Sequence, residues 1–148
     1  MAILNRVTKA ITRPLPKMVS PKTHAIVDYL IAGSFLAMGT VFWSRNKRAA
    51  LSAFFCGGAE LAISLLTDYP GGVKKVISFP LHGEIDVGLA AMAAAMPEFM
   101  AFDEESEKAF FQTQGVVMTA ATSLTEFNPV RRRTAKGRRS ARGIEKAA

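Results

Sequence analysis

A single cysteine, Cys56, is all the thiol chemistry this 148-residue chain carries. That excludes an internal disulfide framework and any zinc site built on cysteines. No glycine-rich phosphate loop, nucleophile motif or His-Glu-x-x-His pattern occurs, so neither an enzyme nor a bound cofactor is expected. The first twenty residues hold no apolar run of the length a cleavable signal peptide needs, and none is expected.

Positive charge is abundant: 19 Lys and Arg against 12 Asp and Glu give a formal net charge of +7. Such a balance first suggests nucleic acid, but the placement of the charge argues otherwise. Basic residues crowd the two ends, leaving apolar stretches between them, and no interleaved aromatics accompany the basic runs. Nucleic-acid binding is therefore not expected.

Four apolar stretches organise the middle of the chain. They run over 25–43 with Asp28 as sole charge, 49–66 with Glu60, 85–102 with Asp86 and Glu98, and 109–124 with Gln112 and Gln114. A helix rises about 1.5 Å per residue, so roughly 20 residues cross a hydrocarbon core of about 30 Å. With flanking residues added, each stretch reaches that length. The first three lack the charged face that a soluble bundle helix would show, which predicts an all-α bundle of four transmembrane helices. Arg6, Lys9, Arg13, Lys17, Lys22, Lys74, Lys75 and the tail residues put fifteen basic groups on one side, against Arg45, Lys47, Arg48 and Lys108 on the other. The positive-inside rule then places both termini in the cytoplasm of a multi-pass protein.

The two halves align without a gap at a spacing of 58. Ser20 falls on Ser78, His24 on His82, Asp28 on Asp86, Met38 on Met96, Gly57 on Gly115, and Leu66-Thr67-Asp68-Tyr69 on Leu124-Thr125-Glu126-Phe127. This register predicts two tandem helical hairpins related by a pseudo-twofold axis along the membrane normal. Four parts follow: a basic amphipathic arm over 1–17, hairpins over 18–76 and 77–129, and a basic tail over 130–148.

The run Ser20-Pro21-Lys22-Thr23-His24-Ala25-Ile26-Val27-Asp28-Tyr29-Leu30, the ending Leu65-Leu66-Thr67-Asp68-Tyr69, and Pro80-Leu81-His82 leading to Asp86 resemble the bacterial SPW-repeat membrane proteins. The similarity covers roughly residues 18 to 129. At the position of the Ser-Pro-Trp signature this chain reads Met96-Pro97-Glu98, and in the first half Met38-Gly39-Thr40. The resemblance implies two helical hairpins in a bacterial cytoplasmic membrane and carries no established activity.

His24 and Asp28 lie four residues apart on one helix face, and His82 and Asp86 repeat the arrangement. Asp68 and Glu126 end the return helices at the same side, so a polar vestibule of His24, Asp28, Asp68, His82, Asp86 and Glu126 is expected there. Ionisable groups inside a membrane are costly and face protein or water, so such a gathering is a candidate site. It suits a structural brace, a divalent metal or proton relay, or a haem or chlorophyll held axially by His24 and His82. Those two histidines are the first ligands if a metal binds. Ser20-Pro21 supports the brace, as a helix N-cap with proline in the first turn.

Small residues mark expected helix-packing positions at Gly33, Ala37, Gly57, Ala91, Ala95 and Gly115. Gly33 and Ala37 lie about 140–180° around the helix from His24 and Asp28. They are expected to meet the hairpin partner, a second copy or another membrane protein. Glu60 falls on Met118 and is an isolated intramembrane carboxylate, while Cys56 beside Gly57 reads as a packing residue. The acidic run over 103–107 suits a helix N-terminus.

Ile3, Leu4, Val7 and Ile11 form a stripe at helical spacing, ended by Pro14 and Pro16, and predict an amphipathic helix on the membrane surface. The tail holds Arg131, Arg132, Arg133, Lys136, Arg138, Arg139, Arg142 and Lys146 against Glu145 alone. It is expected to meet anionic lipid headgroups or an acidic partner. The function expected from all this is structural or accessory, within a membrane assembly. Ion, proton or metal handling, or pigment binding, is the alternative.

Overall fold

The computed structural model describes residues 17–127; the arm to residue 16 and everything from residue 128, including the polybasic tail, lie outside the described residues. Within them the chain is helical: α1 (Pro21–Phe42), α2 (Lys47–Leu66), α3 (Phe79–Phe99) and α4 (Glu105–Leu124). No strand forms among the described residues, only two isolated bridges. The helix starts follow from local chemistry. The Ser20 hydroxyl accepts from the Thr23 N–H and Pro21 opens the first turn; Ser78 accepts from the Leu81 N–H ahead of Pro80. Asn46 caps α2 by accepting from the Ala49 N–H.

Each helix packs chiefly on its hairpin neighbour, and lighter contacts of α1 with α4 and α2 with α3 close a ring of four. Glycine sets the approach within each hairpin. A Cβ on Gly57 would stand 2.9 Å from the Phe35 Cβ and 3.0 Å from the Ala32 carbonyl oxygen. One on Gly115 would stand 2.9 Å from both the Ala90 oxygen and the Ala94 Cβ. The other expected packing positions behave differently. Gly33, Ala37, Ala91 and Ala95 are exposed, and nothing lies within 4 Å of where a Gly33 Cβ would stand. Gly33 does not meet the hairpin partner, because the partner helix packs on the neighbouring face that carries Ala32, Phe35 and Leu36.

Both return helices end in the same way. Thr67 and Thr125 leave the helix in extended conformation, and each then bridges to the segment ahead of the other hairpin's first helix. Thr67 pairs with Ile77, and Thr125 with Val19. The main apolar core fills the opposite half of the bundle around Phe35, Phe42, Phe111, Met96 and Met118. A smaller aromatic group of Tyr69, Phe79 and Phe127 closes the Thr67 and Thr125 end.

At the other end, the two hairpin loops carry opposite charge. The Asn46 amide donates to Glu104 at 2.7 Å, and Arg45 lies 3.8 Å from the buried Glu107. Glu105 and Glu107 occupy the first turn of α4, where acidic groups favour the helix N-terminus.

Among the described residues two helices, α1 and α2, are long and apolar enough to cross a membrane by length and composition, where four are expected from the sequence. α3 carries Glu84, Asp86 and Glu98, and α4 carries Gln112 and Gln114 behind its acidic first turn, which lowers their apolar content.

Candidate functional site

His24 and Asp28 project from the start of α1, His82 and Asp86 from the start of α3, and the four side chains meet on the bundle axis. All are buried, at 0 to 3% exposure. The contacts cross between hairpins. His24 Nε2 lies 3.0 Å from Asp86 Oδ2, and His82 Nε2 lies 3.2 Å from Asp28 Oδ2. The pairs four residues apart on each helix are comparable, at 3.6 Å for His24–Asp28 and 3.2 Å for His82–Asp86. Each residue offers one ligand atom, and these atoms lie within 4.8 Å of one another, so the group can hold a metal ion.

The other nitrogen of each ring is held by a threonine from the opposite hairpin. His82 Nδ1 lies 2.9 Å from the Thr67 hydroxyl, and His24 Nδ1 lies 2.9 Å from that of Thr125. Each hydroxyl has a single proton. Thr67 donates it to the Ile63 carbonyl at 2.7 Å, and Thr125 to the Ala121 carbonyl at 2.7 Å. The hydroxyls therefore accept from the rings, and both Nδ1 atoms carry a proton. A neutral imidazole protonated at Nδ1 has its lone pair on Nε2, the atom that faces the carboxylates.

Further bonds hold the carboxylates. The Tyr69 hydroxyl donates to Asp28 Oδ2 at 3.0 Å, and Thr122 approaches Asp86 Oδ2 at 3.4 Å. The Phe79 and Phe127 rings meet His24 edge-on, and Tyr69 packs on His82. This aromatic layer closes the cluster toward the Thr67 and Thr125 end.

Of the six expected vestibule residues, the structure gathers four. Asp68 is exposed and paired with Lys75 at 3.0 Å, because the extended backbone at Thr67 turns the next side chain outward. Glu126, the equivalent position, is half-buried and outside the group of four. The geometry is a sealed cluster rather than an open vestibule. Glu60 is buried at 2% exposure and lines a narrow void with Asp28, Asp86 and Met118, too small to hold a water molecule. Its Oε2 makes no hydrogen bond among the described residues. Cys56 is buried in the main core, as a packing residue would be.

Thr67, Thr125, Tyr69 and Thr122 join the site although hydropathy and charge patterning do not mark them. The threonines that hold the rings carried a signal, since Thr67 falls on Thr125 in the register that pairs the histidines. Tyr69 falls on Phe127, so its hydroxyl belongs to one half alone.

Compared with known proteins, the chain matches no family model, no curated protein and no solved structure.

Proposed function

We propose that this chain is a four-helix integral membrane protein with a structural, accessory role, and that the buried His–Asp cluster is the brace that locks its two hairpins together. One observation carries the reading: four ionisable side chains are sealed on the bundle axis and bonded across hairpins, while large apolar side chains face outward. Leu30 is 67% exposed, Phe55 58% and Val116 68%. A soluble bundle would reverse that distribution, whereas in lipid an apolar exterior is at rest and polar groups are gathered inside.

The pseudo-twofold axis along the membrane normal belongs to the same reading. Its support is that the cross-hairpin contacts recur in register: Thr67 with His82 and Thr125 with His24, Thr67 with Ile77 and Thr125 with Val19. The resemblance to SPW-repeat membrane proteins supports a bacterial cytoplasmic membrane as the location. Gly33, Ala37, Ala91 and Ala95 are the exposed positions at which a partner membrane protein or a second copy would approach. The basic tail outside the described residues would meet anionic headgroups. A macrocyclic pigment between the histidines is disfavoured, because the two rings meet edge to face with centroids 5.3 Å apart and each Nε2 faces a carboxylate.

The test is topological. Cysteines placed at Asn46 and Ser106, in a Cys56→Ala background, are expected to react with an impermeant thiol reagent from outside intact cells. One at Ser140 is expected to stay protected until the membrane is opened. Labelling at Ser140 alone would invert the topology, and recovery of the protein in the soluble fraction would end the membrane reading.

A further inference from the structure

We infer that the brace is a divalent transition-metal site, with His24 Nε2, His82 Nε2, and one oxygen each from Asp28 and Asp86 as its four ligands. The assignment rests on the reading of this cluster as the lock between hairpins, and it names what the lock holds.

Three independent features lead there. The first is distance. Four ligands about 2.0–2.1 Å from a tetrahedral ion stand about 3.3–3.4 Å from one another. The imidazole-to-carboxylate separations are 3.0 and 3.2 Å to Asp86 Oδ2, 3.2 Å to Asp28 Oδ2 and 3.6 Å to Asp28 Oδ1, values on both sides of that edge, and one ligand atom from each residue can be chosen with all four within 4.8 Å of one another.

The second is proton placement. Both Nδ1 protons are committed to threonine hydroxyls whose own protons go to helix carbonyls. Both Nε2 lone pairs therefore converge on the carboxylates in the neutral rings. A hydrogen-bonded Nδ1–H behind a ligating Nε2 is the outer-shell arrangement that fixes tautomer and ring orientation at metal sites.

The third is alignment. If the cluster were held instead by two imidazolium–carboxylate pairs, each Nε2–H would point at an acceptor. His24 Nε2 meets Asp86 Oδ2 in such a bond at 3.0 Å, but His82 Nε2, 3.2 Å from two carboxylate oxygens, makes no aligned hydrogen bond among the described residues, and Asp86 Oδ1 is likewise unpartnered. A buried N–H left between two acceptors wastes its bond, whereas a cation beyond Nε2 satisfies the ring and both carboxylates at once.

Ligand chemistry narrows the ion. Two imidazoles with two carboxylates suit zinc, iron(II), cobalt(II) or manganese(II). Calcium and magnesium prefer oxygen ligands in larger number, and copper(I) prefers sulfur. Two aspartates offset the charge of a divalent ion, so the complete site is neutral, as a buried site in an apolar bundle requires. With four protein ligands and an aromatic layer over them, the site is closed in the manner of a structural metal.

The test uses the full chain purified from membranes in mild detergent. Metal analysis is expected to find about one divalent transition ion per chain. After chelation, cobalt(II) is expected to bind at about one equivalent, with the visible absorption of a four-coordinate ion. His82→Gln is expected to abolish that uptake. Thr67→Val, which keeps all four ligands, is expected to weaken it about tenfold or more by freeing the ring. That second variant reads the site even where His82→Gln does not fold. Metal-free protein that takes up no cobalt, or cobalt uptake unchanged in both variants, would overturn the assignment. The brace itself is judged separately, by the energetic coupling between hairpins, so the two readings fail in different measurements.

Discussion

Thr67 and Thr125 each hold an imidazole through one hydroxyl, and each comes from the hairpin opposite the ring it holds. Replacing either by valine keeps the volume but leaves a buried Nδ1–H without its acceptor. Each Thr→Val change is expected to destabilise by about 1–3 kcal/mol, read by denaturation in detergent. The two should agree closely, since each hydroxyl holds one Nδ1 and donates to one helix carbonyl at matching distances; no loss at either would remove the basis for placing the proton on Nδ1. This scale was partly legible in the sequence. A His four residues before an Asp, twice, at equivalent positions, marks four side chains of one kind on two helix faces. Whether a neighbouring acid joins them depends on the backbone at the helix end. Thr67 is extended, so Asp68 turns to Lys75 instead, a single-residue outcome that hydropathy patterning does not record.

Small residues decide how the helices meet, and only some of them. Gly57 and Gly115 lie under the partner helix of their own hairpin, whereas Gly33 faces outward with no neighbour within 4 Å. Gly57→Leu would drive a side chain into Phe35 and the Ala32 carbonyl, and is expected to cost about 1–3 kcal/mol or to prevent assembly. Gly33→Leu is expected to leave the melting temperature of the isolated chain within about 2 °C, which corresponds to about 0.5–1 kcal/mol. Equal effects at both positions would mean that the hairpin packs on a different face. The sequence groups these glycines together because spacing identifies a small face without naming what lies against it. The acidic run over 103–107 reads in the sequence only as suiting a helix N-terminus; the structure also joins it to the other hairpin loop through Asn46–Glu104 and Arg45–Glu107.

Taken whole, the molecule buries a polar cluster in one half of the bundle and an apolar core in the other, with helix pairs packed closely within each hairpin and more lightly between them. The hairpin order was legible from the 58-residue register, since 47–66 falls on 105–124, whereas the apolar stretches over 85–102 and 109–124 begin past the starts of α3 at Phe79 and α4 at Glu105. The sealing of the cluster was not legible, because it depends on Tyr69, Phe79 and Phe127 converging from three separate segments. Where interhelical packing is lighter, the buried polar contacts carry a larger share of the lock between hairpins. The most direct test is a double-mutant cycle on His24 and Asp86, which sit in different hairpins and meet at 3.0 Å. Stabilities of His24→Gln, Asp86→Asn and the double variant, measured under identical detergent conditions, are expected to depart from additivity by about 1–3 kcal/mol. Changes that add to within about 0.5 kcal/mol would show that the two side chains act independently, and would contradict the brace.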